Sequence, residues 1–227
     1  MRKLPVLSVV LFAACSSPAA PAEVAGPAPT IVAAPAVPAS PETTARMRGH
    51  FEDSVQIRDA VIAGELADLR PPARRLAAAI GVDALPVAWQ SHARGNAALA
   101  AKALNAANIG DAAQAAAGLA FTCGECHATV GKGPDFPPGE PPTADRSEPK
   151  SQMLRHQWAA ERMWQGLVAR SDETWRAGAA ALTDAPLSLD AITANVELPD
   201  EVKALGQRVH GLGERALMTP EWTGRRQ

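Results

Sequence analysis

One run near the middle of the chain has residue types and spacing that suit chemistry: Phe121-Thr122-Cys123-Gly124-Glu125-Cys126-His127. Two thiols three residues apart can each form a thioether to one of the two vinyl groups of a single haem. His127 lies four residues beyond Cys123, on the same face of a helix, so its imidazole can reach the iron from one side. Cys-x-x-Cys also occurs in redox dithiols and in zinc sites. A closed zinc site takes about four ligands, and the only other cysteine, Cys15, has a different setting. A redox dithiol calls for a strand followed by a helix, whereas the flanks here are alanine-rich helix. The segment therefore reads as the attachment site of one covalent haem c.

The elements that must position this segment are helices. Of 227 residues, 47% are hydrophobic, and alanine supplies much of that. There are four Phe and no Tyr, β-branched residues are sparse beyond the N-terminal stretch, and no strand-like alternation is present. An all-α chain with closely packed helices follows. The net charge of −2 gives no electrostatic footing for nucleic acid, and no basic run marks an anionic membrane partner.

Residues 1–14 read as a signal peptide: Met1-Arg2-Lys3 is basic, and Leu4 to Ala14 is apolar with small residues at its end. Leu11-Phe12-Ala13-Ala14-Cys15 resembles the bacterial lipobox, with Phe12 departing from the usual small or aliphatic residue. That resemblance implies lipidation of Cys15. Residues 15–42 are rich in Pro and Ala, almost uncharged, and suit an extended tether. The expected location is the periplasm or an outer surface, anchored to a membrane by lipid.

Four helices are predicted before and through the motif. The first runs from about Thr43 to Ala63, with Met47, Phe51, Val55 and Ile62 on one stripe and Gly64 as its stop. The second runs from about Leu69 to Ile80, with Pro71 and Pro72 in its first turn. The third follows Leu85-Pro86 and runs through Trp89 to about Ala107. The fourth is expected to be capped by Asp111 and to carry the motif near its end.

This arrangement resembles the cytochrome c′ family, the class II c-type cytochromes. Carrying the resemblance are the late Cys-x-x-Cys-His, Trp89 in the third helix, and Met47-Arg48-Gly49-His50-Phe51 in the first. It covers about residues 43–130 and implies an antiparallel four-helix bundle with haem at one end. It also implies that Cys123 and Cys126 bind the haem covalently and that His127 is the proximal ligand. In that family first-helix residues face the other side of the iron. Met47 there would give a low-spin carrier of higher potential, His50 would give bis-His ligation, and neither would leave the iron open. Each also has a plain reading: Met47 as part of the apolar stripe, His50 as a surface imidazole. His92, His156 and His210 suit surface or capping roles.

Residues 131–147 form a proline-rich loop expected at the haem edge. Gly133-Pro134 with Met153 or Met163 offers a second ligation scheme of the class I type. Residues 148–227 return to helix, starting at Ser147-Glu148-Pro149-Lys150. They look like a degenerate copy of the first three helices: Met47-x-x-His50 recurs as Met153-x-x-His156, and Leu85-Pro86 as Leu198-Pro199. This second unit has no haem motif. Three helices leave an apolar groove, to be covered by the first unit, with Trp158, Trp164 and Trp175 in the contact, by the loop, or by a second copy in a homodimer. The function expected is electron transfer between redox protein partners rather than catalysis. The other classes open at this point are a five-coordinate haem protein that binds or senses a small gas, and a helical module that docks a redox partner.

Overall fold

Capping chemistry sets the helix limits. The computed structural model describes residues 40–78, 81–137, 139–143, 148–184, 199–219 and 222–226. The stretch expected to be a signal peptide, Cys15 and nearly all of the expected tether fall outside them. Among the described residues every regular element is helical: α1 (Pro41–Ala63), α2 (Leu66–Ala77), α3 (Val87–Leu104), α4 (Ile109–Val130), α5 (Pro149–Ala169), α6 (Asp172–Asp184) and α7 (Asp200–Met218), with 3-10 turns at Val82–Ala84 and Trp222–Arg226. The all-α expectation holds. No described helix is long and apolar enough to cross a membrane.

α1 starts two residues before the predicted point because Ser40 caps it. Its Oγ accepts from the Thr43 backbone N–H at 3.1 Å, and Pro41 occupies the first turn. Gly64 ends α1 at φ 80°, a left-handed conformation that glycine adopts without a Cβ penalty. α2 departs from expectation. It begins at Leu66, so Pro71 and Pro72 sit inside the helix rather than in its first turn. Each removes one backbone hydrogen bond. Burial of Leu69, Pro72, Ala73 and Leu76 along one face offsets that loss. α4 is capped by Asn108, not Asp111. The Asn108 Oδ1 accepts from the Asp111 N–H at 2.9 Å, and Asn108 Nδ2 donates to the Asp111 carboxylate at 2.9 Å. Two reciprocal bonds place Asp111 in the first turn, where its charge also suits the helix dipole. α5 starts with Glu148 at the cap position and no side-chain cap bond; Ser147 lies outside the described residues.

α1 packs on α2, α2 on α3, α3 on α4, and α4 back on α1. α5 then packs on α4 and α6, and α7 packs on α6. The α3–α4 seam sets Gly118 against Leu99 and Gly95 against Thr122, and Ala100 and Ala103 of α3 and Ala112, Ala115, Ala116 and Ala120 of α4 are all buried. Small side chains let these two helices approach closely. One apolar core runs from Ile57 in α1 through Leu119 and Phe121 in α4 to Leu167 in α5 and Trp175 in α6. The described residues fall within one compact unit. The lengths of α1, α2 and α3 are 23, 12 and 18 residues; those of α5, α6 and α7 are 21, 13 and 19.

The three tryptophans of the second half do not share one contact. Trp164 lies at the junction of the halves, buried, under the Arg58 guanidinium of α1 at 5.9 Å. Trp175 instead ties α6 to α7, its Nε1–H donating to the Ala216 carbonyl at 3.1 Å. Trp158 faces Arg162 at 5.3 Å and the loop at Gly139.

His156 of α5 and His210 of α7 meet edge to face, with ring centroids 5.3 Å apart, and His210 Nδ1 lies 3.1 Å from the Leu182 carbonyl. Burial lowers the pKa of His210 below its ordinary 6.5, and the neighbouring His156 lowers it further, while the Leu182 carbonyl and Glu214 pull the other way. The folded chain therefore binds fewer protons here than the unfolded chain once pH falls to the ordinary histidine range. Stability should drop as pH falls through about 6.5. A His210→Gln chain should lose part of that acid sensitivity. Melting temperatures at about pH 5 and pH 8 test this, and an identical difference in both chains would refute it.

Candidate haem-attachment site

The motif occupies the last two turns of α4, which Gly131 closes at φ 71°. Its residues fan out over three neighbours. Cys123 points to α3, where the Asn96 Nδ2 lies 3.5 Å from its Sγ. Gly124 is buried against α5: a Cβ there would collide with the Leu167 carbonyl oxygen and lie 2.8 Å from the Trp222 ring. His127 also turns to α5. Its Nδ1 is 2.7 Å from the Val168 carbonyl oxygen.

That last contact decides the state of the imidazole. A carbonyl only accepts, so Nδ1 carries the hydrogen. Burial holds the pKa of His127 below the ordinary value, against the pull of the carbonyl. The ring is therefore neutral at pH 7, with its lone pair on Nε2. A backbone carbonyl holding one nitrogen while the other is left to ligate is the support a metal-binding histidine requires. Gly133 of the following loop backs the same ring, since a Cβ there would meet the His127 Cβ at 3.1 Å.

The thiols are free, half-buried and unbridged. Burial pushes Cys123 up to about 11, partly countered by Asn96, and it raises Cys126 too. A redox dithiol works through a thiolate whose pKa is depressed, so this environment opposes that use. Among the described residues no group of three or more His, Cys, Asp or Glu is placed to hold a metal ion, so a closed zinc site is not assembled around the two thiols. The donor set does fit a covalent haem: two protonated thiols at thioether spacing and one oriented imidazole. Beside Cys123, the Asn96 Oδ1 is buried and has no hydrogen-bond partner among the described residues.

The remaining candidates lie as follows. Met47 is half-buried and His50 exposed on α1. Phe51, one turn beyond Met47, packs on Phe136 of the loop with centroids 5.6 Å apart. The loop thus joins His127, through Gly133, to α1. It then runs to α5, where Arg162 and Arg155 donate to the Pro137 and Pro142 carbonyls at 2.8 and 3.0 Å. Met153 is exposed, and Met163 packs against the core. The His92 Nε2 is 3.2 Å from the Thr129 Oγ1 at the end of α4.

Sequence reasoning overlooked Asn96, the Val168 carbonyl and Trp222. The Trp222 ring stacks on Phe121 at 5.4 Å, with the guanidiniums of Arg170 and Arg225 at 5.5 and 5.4 Å. Arg225 is buried and pairs with Asp172 at the start of α6 at 2.6 Å, which pins the Trp222–Arg226 turn there while Trp222 stacks on α4. Trp222→Ala should cost about 2 kcal/mol, because the ring is half-buried and loses both area and stacking. Urea unfolding checks this, and an unchanged midpoint would refute it. Comparison of the chain with protein-family models, with curated proteins and with solved structures found no match.

Proposed function

We propose that this chain is a monohaem c-type cytochrome that carries electrons outside the cytoplasmic membrane and is not itself a catalyst. The observation that carries the reading is the oriented His127 within Cys-x-x-Cys-His: Nδ1 held by the Val168 carbonyl at 2.7 Å, Nε2 free, and both thiols unbridged. In this reading Cys123 and Cys126 hold the haem covalently and His127 ligates its iron. The haem supplies the one-electron chemistry. The chain binds it, fixes the imidazole on one side and keeps water from the buried face formed by Phe121 and Leu119.

With this goes the finer architecture. The closed cycle of contacts α1–α2–α3–α4–α1 supports a four-helix bundle of the cytochrome c′ kind over residues 43–130. The matching order of helix lengths supports residues 148–227 as a degenerate repeat without haem. Lipidation at Cys15 would tether the protein to a membrane where redox protein partners reach it.

The test is the optical spectrum of the haem-loaded chain, oxidised and reduced, with and without carbon monoxide. A low-spin spectrum with a methionine-to-iron band that is lost in Met47→Ala supports the carrier. A high-spin ferric form that binds carbon monoxide rapidly excludes Met47 and His50 as ligands and replaces the carrier with a gas-binding protein.

A further inference from the structure

α7 presents its apolar side to solvent in a pattern that a partner helix would fit. Its small residues face inward. Gly206, Gly213 and Ala216 are buried, and a Cβ on Gly213 would meet Leu182 and Thr183 of α6 at 3.1–3.3 Å. Its larger apolar residues lie on the next face round. Val202, Leu205 and Leu212 are 45%, 56% and 51% exposed, with the half-buried Val209 among them. Val202, Leu205, Val209 and Leu212 recur at alternating steps of three and four, the spacing of a coiled-coil seam. A contiguous apolar stripe of this kind is costly to leave in water.

The charges beside the stripe indicate what covers it. On the edge away from α6, Glu201, Arg208 and Arg215 recur every seven residues, and all three are exposed. The other edge is made of Gly206 and Gly213, which α6 occupies. A second α7 lying parallel would bring the charged edge of one helix against the glycine edge of the other, with no charge to meet. An antiparallel one sets like edges together. Turned about a point between residues 207 and 208, it matches Val202 with Leu212 of the second copy, Leu205 with Val209, and Glu201 with Arg215.

We propose that α7 is a self-association surface, on which two copies of this chain pack antiparallel along Val202, Leu205, Val209 and Leu212, with Glu201 of each facing Arg215 of the other. Arg208 falls opposite its own copy, which opposes pairing. A helix of 19 residues is about 28 Å long, so the contact is at the small end for a specific interface and the association is weak. This proposal does not depend on haem.

Glu201 and Arg215 also suit the dipole of their own helix, acid at its start and base near its end. Charge exchange separates the two roles. Sedimentation equilibrium of the purified full chain over a wide concentration range should show one-chain mass passing to two-chain mass. Leu205→Glu should weaken association by about tenfold or more, with helical circular dichroism retained. Glu201→Arg alone and Arg215→Glu alone should each weaken it, and the double exchange should restore it, although that double exchange is the worst case for the helix dipole. A chain that stays single throughout overturns the proposal, as does association indifferent to Leu205→Glu. Failure of the double exchange to recover overturns the antiparallel register.

Discussion

A Gly124→Val chain should lose about 3 kcal/mol of stability, although Gly124 lies in a helix, where replacing glycine by a better helix former ordinarily helps. The opposing magnitudes decide it. A glycine in a helix interior costs up to about 1 kcal/mol relative to alanine, and valine recovers less than alanine does. Against that gain stands a collision with the Leu167 carbonyl oxygen and a 2.8 Å approach to the Trp222 ring. Backbone oxygen cannot rotate aside as a flexible side chain would. Relief requires α4 and α5 to separate, which strains the His127–Val168 hydrogen bond on the same seam. Gly95→Ala is the control. Its new Cβ meets only the Thr122 methyl at 3.6 Å, an ordinary contact, so that chain should be as stable as the parent or up to about 1 kcal/mol more so. Urea midpoints of the two variants test the argument. Equal effects would show that the α4–α5 seam yields easily.

The other large effect belongs to the proposed haem. Produced where c-type haem is attached, the parent chain should keep its haem through extraction with acidified acetone. The double variant Cys123→Ser, Cys126→Ser should release all of it, since serine forms no thioether. Each single variant should retain haem through the remaining sulfur. His127→Ala should keep the covalent haem and change its spectrum, because attachment and axial ligation reside in different side chains. Haem staining of denaturing gels reads the first pair and absorbance reads the last. Covalent haem in the double variant would sink the assignment of the two cysteines. A His127→Ala spectrum identical to the parent's would sink that of the histidine.

Trp222 and Gly124 act on one structural unit, so their effects should not add. Both touch the seam where α4 meets α5 and the C-terminal turn. Gly124→Val displaces the ring that Trp222→Ala removes. A double variant should therefore be less destabilised than the two losses taken together.

What local chemistry specifies was legible along the chain. The run that became α1 shows helical spacing of apolar residues, and Gly64 marks its end, as Gly131 marks that of α4, because each helix there turns left-handed. The all-α class follows from alanine-rich, β-branch-poor composition. The two thiols and the imidazole of the motif are grouped by helical repeat alone, within five residues of chain, and no tertiary contact was needed to find them.

What depends on partners far along the chain was decided only by the tertiary structure. Pro71 and Pro72 marked a helix start by local rule, yet they lie inside α2, because a buried face outweighs two lost hydrogen bonds. Asn108 outcompeted Asp111 as a cap through a reciprocal pair that only geometry distinguishes. Trp158, Trp164 and Trp175 look alike in sequence and went to three different neighbours. The group that orients His127 is the carbonyl of Val168, 41 residues away. Every residue carries a carbonyl, so residue type cannot say which one an imidazole will find. That choice is made where two helices are brought into register by a glycine small enough to let them touch.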